Sequence, residues 1–148
     1  MNEPQLCRET IYAALFALVS GAYAFATRTR RIKEYADVDQ ATQPALLQVE
    51  IGEKWNSRVG APPVVTLTAR LFLYCESNDP TQPVATQMNA ALDAVMAVLA
   101  PPLLPHGSFR QTLGGLVQHA AIAGEVTIAE GLSGQSEAMI PLEILVNS

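Results

Sequence analysis

Pro63–Glu76 reads PVVTLTARLFLYCE, fourteen residues that no glycine interrupts. Val64, Val65, Thr66 and Thr68 are β-branched, which disfavours helix and suits a pleated, half-buried surface. Taken with a period of two, Val65, Leu67, Ala69, Leu71 and Leu73 fall on one face. Val64, Thr66, Thr68, Arg70, Phe72 and Tyr74 fall on the other, so one side is apolar and the second is mixed. The pattern predicts a long strand at or near the centre of an antiparallel sheet, with a helix or a partner subunit against its apolar side.

Upstream of this strand, Gly52–Pro63 (GEKWNSRVGAPP) has glycine near both ends, two prolines and Asn56-Ser57. Those residues predict a hairpin with an extended, exposed tip. Its other strand is Pro44–Glu53, with Ala45, Leu47, Val49 and Ile51 on one face and Gln48 and Glu50 on the other. Asp37–Pro44 reads as a plain polar loop. Tyr23–Lys33 reads as a strand that ends in the basic run Arg28-Thr29-Arg30-Arg31-Ile32-Lys33. Residues 3–20 predict a first helix. Asn2 is placed to cap it, with Pro4 in the first turn and Gln5 in the manner of a capping box. Cys7, Ile11, Ala14, Leu15, Leu18 and Val19 form its apolar stripe, Arg8 and Glu9 lie off that stripe, and Ser20-Gly21 supplies a left-handed stop.

Downstream, Ser77-Asn78-Asp79-Pro80-Thr81-Gln82-Pro83 is a linker of turn residues. Val84–Ala100 predicts a second helix, buried along Ala85, Met88, Leu92, Val95, Met96 and Leu99 and ended by Pro101-Pro102. After a loop at Leu103–Gly107 the chain turns all-β. Val117–Ala129 is broken or bent at Gly124, Gly131–Gln135 is a turn, and Glu137–Val146 is the last strand, with Ile140, Leu142, Ile144 and Val146 on one face. The expected fold is a single α+β domain over residues 1–148. It has a mostly antiparallel sheet, two helices packed on one face, and the order α-β-β-β-α-β-β.

The composition narrows the function. A chain of 148 residues has enough length for a real core, and with 49% hydrophobic but only 6% aromatic residues that core is aliphatic. Charged residues make up 16%, against about 25% in ordinary soluble domains. Such a surface fits one partly covered by other chains. A net charge of −5 argues against sequence-independent binding to nucleic acid or anionic membranes. No window approaches the roughly twenty apolar residues of a membrane span. The N-terminus lacks a basic region before Ile11–Val19, which reads as a helix face and not as a signal peptide. Cys7 and Cys75, far apart and without metal-type spacing, are expected to be reduced core residues of a cytoplasmic protein.

Catalytic patterns are wanting. Gly114-Gly115 is not followed by Lys-Ser or Lys-Thr, so no phosphate loop is indicated. His106 and His119 are too few for a histidine metal site, and the bland reading of a loop residue and a hydrogen-bonded strand residue is preferred. No serine lies in a nucleophile elbow, and neither cysteine has an evident histidine partner. Glu125, Glu130, Glu137 and Glu143 read as a solvated or lumen-facing side and not as an acid–base pair. The expectation is a non-enzyme with no cofactor and no metal. What remains is contact chemistry. Arg28, Arg30, Arg31 and Lys33 form either a solvated strand end or a patch for an acidic partner surface. Lys54, Trp55 and Arg58 lie on the hairpin arm, where Trp55 either grips a neighbour or folds back onto its own sheet.

Several stretches carry a resemblance. Arg8–Phe16 (RETIYAALF), Gln43–Leu46 (QPAL), Gly60–Pro63 (GAPP) and Met88–Val95 (MNAALDAV) are the first. Gln111–His119 (QTLGGLVQH), the most specific, is followed by Gly124-Glu125 and Glu130-Gly131. In this order the chain resembles, over nearly its whole length, the tail-terminator (tail-completion, minor tail) proteins of long-tailed bacteriophages and prophages. The resemblance implies an α/β structural virion protein with no catalytic residues. It implies a hexameric ring on the head-proximal end of the tail tube that stops polymerisation of the major tail protein and offers a surface to head-neck connector proteins. DNA would only pass through the ring, and the acidic total would keep it from sticking. The location implied is the virion tail, and the host cytoplasm during assembly. Two other readings stand beside it: a neck protein of the head-closure or head-tail connector type, and an unrelated cytoplasmic binding domain that dimerises through its sheet.

Overall fold

The computed structural model describes residues 6–77, 79–83, 85–132 and 134–147. The decisive stretch is realised as a strand over Ala61–Glu76, here β3, with antiparallel neighbours on both sides. Val65, Leu67, Ala69, Leu71 and Leu73 are wholly buried, as their alternation demands. In chain order the elements are α1 (Arg8–Ser20), β1 (Thr27–Thr29), β2 (Ala45–Arg58), β3, α2 (Ala85–Leu99), β4 (His119–Ile122), β5 (Thr127–Glu130) and β6 (Gln135–Asn147). The sheet runs β1-β2-β3-β6-β4, with β5 also on β6.

β4 pairs with residues 142–145 of β6 and β5 with residues 136–139, so the two are halves of one interrupted edge strand. The interruption is at Gly124, whose φ of +113° excludes most side chains; a Cβ there would lie in ordinary contact with the Pro141 ring. The order is thus α-β-β-β-α-β-β with the penultimate strand broken, an α+β fold with a mostly antiparallel sheet.

Both helices lie on one face. Ile11, Tyr12, Leu15 and Val19 of α1 and Met88, Ala91, Leu92, Val95 and Leu99 of α2 join the apolar rows of β3 and β6 in one core. At about 25 cal/mol per Å² of apolar surface, this aliphatic layer is the main stabilising term. The opposite face is covered only at one end. There Val38 and Tyr35 pack on Ala45, Leu47, Tyr74 and Phe72 in a second, smaller cluster.

Five expectations are corrected. The strand expected over Tyr23–Lys33 is only Thr27–Thr29, and it pairs with β2 in parallel. Local hydrogen bonds explain this: Phe25 N–H donates to the Tyr23 carbonyl at 2.8 Å, a tight three-residue turn, and Arg31 N–H donates to Thr29 Oγ1 at 3.0 Å. The loop Asp37–Pro44 contains single 3-10 turns, Tyr35–Asp37 overlapping its start and Gln40–Thr42 within it, that set Val38 into the second cluster. Leu6 and Cys7 are not helical, so α1 is shorter than residues 3–20, and Cys7 is exposed instead of joining the apolar stripe. Gly21 ends α1 in the right-handed region, at φ −85°, without a left-handed cap. Finally, the face of β2 bearing Gln48 turns toward α1: Gln48 is buried and its Nε2 donates to the Tyr12 carbonyl at 2.9 Å. The expected cap at Asn2, Pro4 and Gln5, and the details placed on Asn78, Val84 and Ser133, lie outside the described residues.

Candidate assembly interface

β2 and β3 outrun the rest of the sheet. Pairing of β3 with β6 ends at Val64 with Asn147, whereas β2 and β3 continue to Arg58 with Ala61 around a turn at Val59-Gly60. Gly60 takes φ +76° there, a conformation that glycine adopts without strain. Every residue from 50 to 62 is exposed. Register shifts set Ile51 as a bulge on β2 between Glu50 and Gly52, and near the tip leave Pro62 and Pro63 of β3 opposite the single residue Ser57, irregularities that increase local twist. Among the described residues, no strand pairs with the outer edge of β2 beyond Leu47. The arm carries Ile51, Trp55 and Val59 as exposed apolar side chains.

Trp55 stands between the two readings given for it. It is 49% exposed, and its indole Nε1 donates to Glu53 Oε2 at 2.7 Å. Glu53 in turn accepts two hydrogen bonds from the Arg8 guanidinium, at 2.6 and 2.7 Å. The side chain is therefore oriented from below by the start of α1 while half of it faces water. The Arg8 fork, followed by the Trp55 indole, holds the Glu53 carboxyl down at about 2. Because α1 runs opposite to β2, Tyr12 lies over Gln48 and Arg8 over Glu53.

The basic run divides. Arg30 is bound within the chain, to Glu9 on α1 and to Glu50 on β2, the latter at 3.1 Å. This guanidinium is not a free contact for a partner, and it raises no net positive field. Glu9 is lowered by the hydrogen bond from Arg30. Arg28 reaches the Tyr23 carbonyl at 3.4 Å and is otherwise exposed, as are Arg31 and Lys33. The Lys33 carbonyl accepts from Tyr74 at 2.7 Å, which fixes the chain where the basic run ends. Lys54 and Arg58 have no ion-pair partner among the described residues. The structure thus joins Arg30 to the base of the arm, leaves Lys54, Trp55 and Arg58 along it, and sets Arg28, Arg31 and Lys33 on the surface.

Sequence reasoning missed the acidic partners. Glu9, Glu50 and Glu53, with Arg8, form the lattice that straps α1 to the arm's base. Surface pairs of this type add little stability singly, so their effect is on orientation.

Elsewhere, two shallow apolar grooves flank the β4–β5 edge. One, of about 250 Å³, lies between the end of α2 and β4 and is lined by Met96, Leu99, Ala100, Pro101 and residues 119–122. The other, of about 300 Å³, lies on the open sheet face between Arg70, Phe72, Thr127, Ala129 and Glu137–Met139. His119 Nδ1 accepts from the Gln111 amide at 3.1 Å, and His106 is an exposed loop residue. Cys7 and Cys75 are free thiols, the latter pushed up to about 11 by burial. Among the described residues no group of three His, Cys, Asp or Glu could hold a metal ion, and no helix is long and apolar enough to cross a membrane. No protein-family model matches this chain, and no characterised protein sequence matches it significantly.

Proposed function

We propose that this chain is a structural subunit that assembles into a ring at the head-proximal end of a phage or prophage tail tube, stops tube polymerisation and presents a surface to head-neck proteins. The observation that carries this reading is the arm. It is a two-stranded ribbon with no core behind its tip, and such ribbons are marginal in water unless something packs on them. Here the base is braced by Arg8 and Arg30, and the projecting part offers Trp55, Val59 and the cations Lys54 and Arg58, which have no ion-pair partner among the described residues. A rigid aromatic presented on a strapped element loses little freedom on binding, which is how interfaces obtain affinity from small areas.

The resemblance spread from Arg8–Phe16 to Glu130-Gly131 supplies the identity of the assembly, and the arm supplies a joint for it. In this reading the partners are further copies of the chain, the major tail-tube protein and a head-neck connector. The reading needs no catalytic group, metal or cofactor, and places the protein in the virion tail. DNA passes through the ring without specific contact, helped by the net charge of −5.

The test is to mix the protein with polymerising major tail-tube subunits from the same genome and measure tube lengths by electron microscopy. Tubes bounded in length, with a ring at one end, are expected. Unbounded growth with bare ends at saturating protein refutes the proposal.

A further inference from the structure

The proposed ring needs an acceptor for the arm, and the charge distribution indicates where it lies. Residues 1–76 contain eight acidic and eight basic side chains, while residues 77–148 contain six acidic ones and a single basic one, Arg110. The whole negative balance therefore belongs to the half that builds α2 and the β4–β5–β6 side of the sheet. On the other side, Arg8 and Arg30 are taken up by Glu9, Glu50 and Glu53, which leaves Lys54 and Arg58 of the arm without an ion-pair partner among the described residues. Asp93, three residues before the groove's Met96, and Glu125, three residues after its Ile122, are exposed and likewise lack ion-pair partners among the described residues. One lateral edge is basic at its tip and the other is acidic. They cannot meet within one chain, because β3 and β6 hold β2 and β4 roughly 14 Å apart.

We infer that the arm of one copy docks on the β4 edge of the next, with Trp55 seated in the apolar groove between the end of α2 and β4. The occupant is a second copy of this chain, and the contact is heterologous. Register supports closure. Lys54 is paired with Thr66, Thr66 with Leu145, and Leu145 with His119, so the arm's base and the start of β4 lie on one row across the sheet. Donor and acceptor at the same height let successive copies be related by rotation with little translation, which closes a ring instead of winding a filament. Exposed apolar residues occur on both edges, Trp55 and Val59 on one and Leu103 and Phe109 beyond the groove on the other. The inference rests on the ring proposed above for its purpose, although the contact itself is a property of this chain alone.

Cross-linking tests it without removing the anchor. In a Cys7→Ser background, which eliminates the exposed thiol, one chain carries Asn56→Cys and another Ala100→Cys. With a short bismaleimide, at high protein concentration and on tube ends, the mixture is expected to give a covalent dimer that neither chain gives alone. The chain bearing both substitutions is expected to give a ladder ending in a closed ring. Adding Trp55→Ala should lower the yield about tenfold, the loss expected on truncating one aromatic anchor, with an unchanged melting temperature. Cross-linking of the Asn56→Cys chain with itself would show a symmetric arm-to-arm contact and overturn the inference. So would assembled rings without the mixed product, or a protein that stays monomeric in both settings. If tubes are bounded and the mixed product is missing, the docking fails and the tail reading stands. If the mixed product forms and tubes grow unbounded, the tail reading fails and the docking stands.

Discussion

Replacing Gln48 with methionine should stabilise the subunit, although it deletes a hydrogen bond in the core. Gln48 is 1% exposed on the helix side of β2; its Nε2 donates to the Tyr12 carbonyl, while its Oε1 has no partner among the described residues. The donor half contributes a net of about 0.5–1.5 kcal/mol, and the Tyr12 carbonyl, lying inside α1, keeps its helical hydrogen bond when it is lost. The acceptor half costs about 1–3 kcal/mol, the penalty for a desolvated group left unpaired. Methionine has nearly the same length and fills irregular gaps, so little cavity or strain is added. The balance is a gain of about 1 kcal/mol, or roughly 3 °C in melting temperature for a domain of this size. Urea unfolding followed by circular dichroism reads it as a higher midpoint at constant slope. A loss of 1 kcal/mol or more would show that Oε1 is satisfied, and would refute the reasoning. Gln48→Glu supplies the contrast. A buried carboxylate has its pKa raised by desolvation, so this variant should be weak at pH 7, by at least about 2 kcal/mol, and recover as pH falls through that raised pKa.

Leu71→Ala, in the middle of β3 with no exposed surface, should cost about 2–5 kcal/mol in the same assay, and a cost under 1 kcal/mol would deny that β3 is central. Trp55→Ala with Arg58→Ala should weaken self-association in light scattering while barely moving the melting temperature; a large drop would place Trp55 in the subunit's own core. Trp55 is the single tryptophan, so its fluorescence reports on Glu53, and a transition near pH 2 is expected in place of the ordinary value of about 4.3. Since the folded-state pKa is the lower one, the Arg8–Glu53 contact is fully present above pH 4.3 and is lost as pH falls through about 2. Arg8→Ala should move the midpoint upward, and an unmoved midpoint would remove Arg8 as the cause.

The parts of the fold legible in the sequence are those whose pattern is long and whose second face is simple. β3, β6 and α2 each repeat their apolar positions at least four times, so period two or 3.6 stands out. β2 misleads because both of its faces are buried at one end, Leu46 and Gln48 under α1 and Ala45 and Leu47 under Val38. A polar residue there looks solvated until the helix above it is known. β1 misleads because aromatic and threonine residues favour strands on average, yet two local turns claim the backbone first. The arm was readable from its flanking glycines and prolines. Its braces were not: Arg8 meets Glu53 across 45 positions and Arg30 meets Glu9 across 21, distances that only the docking of α1 on β2 determines.

The sheet face opposite the helices bears on how copies can meet. Beyond the patch under Val38 it presents Thr66, Thr68, Arg70 and Glu143 among the half-buried Met139, Pro141 and Leu145. Arg70 and Glu143 are exposed, and neither has an ion-pair partner among the described residues. A dimer made face to face would have to strip water from both, and the effective penalty for each ion is several kcal/mol unless the partner sheet offers an opposite charge in good geometry. Two-fold symmetry would let Arg70 of one copy meet Glu143 of the other only for one placement of the axis and register of the two sheets. Contact through the lateral edges leaves both side chains in water and brings unlike charges together. The physical chemistry of the bare face thus weighs against pairing through the sheet and in favour of a head-to-tail assembly.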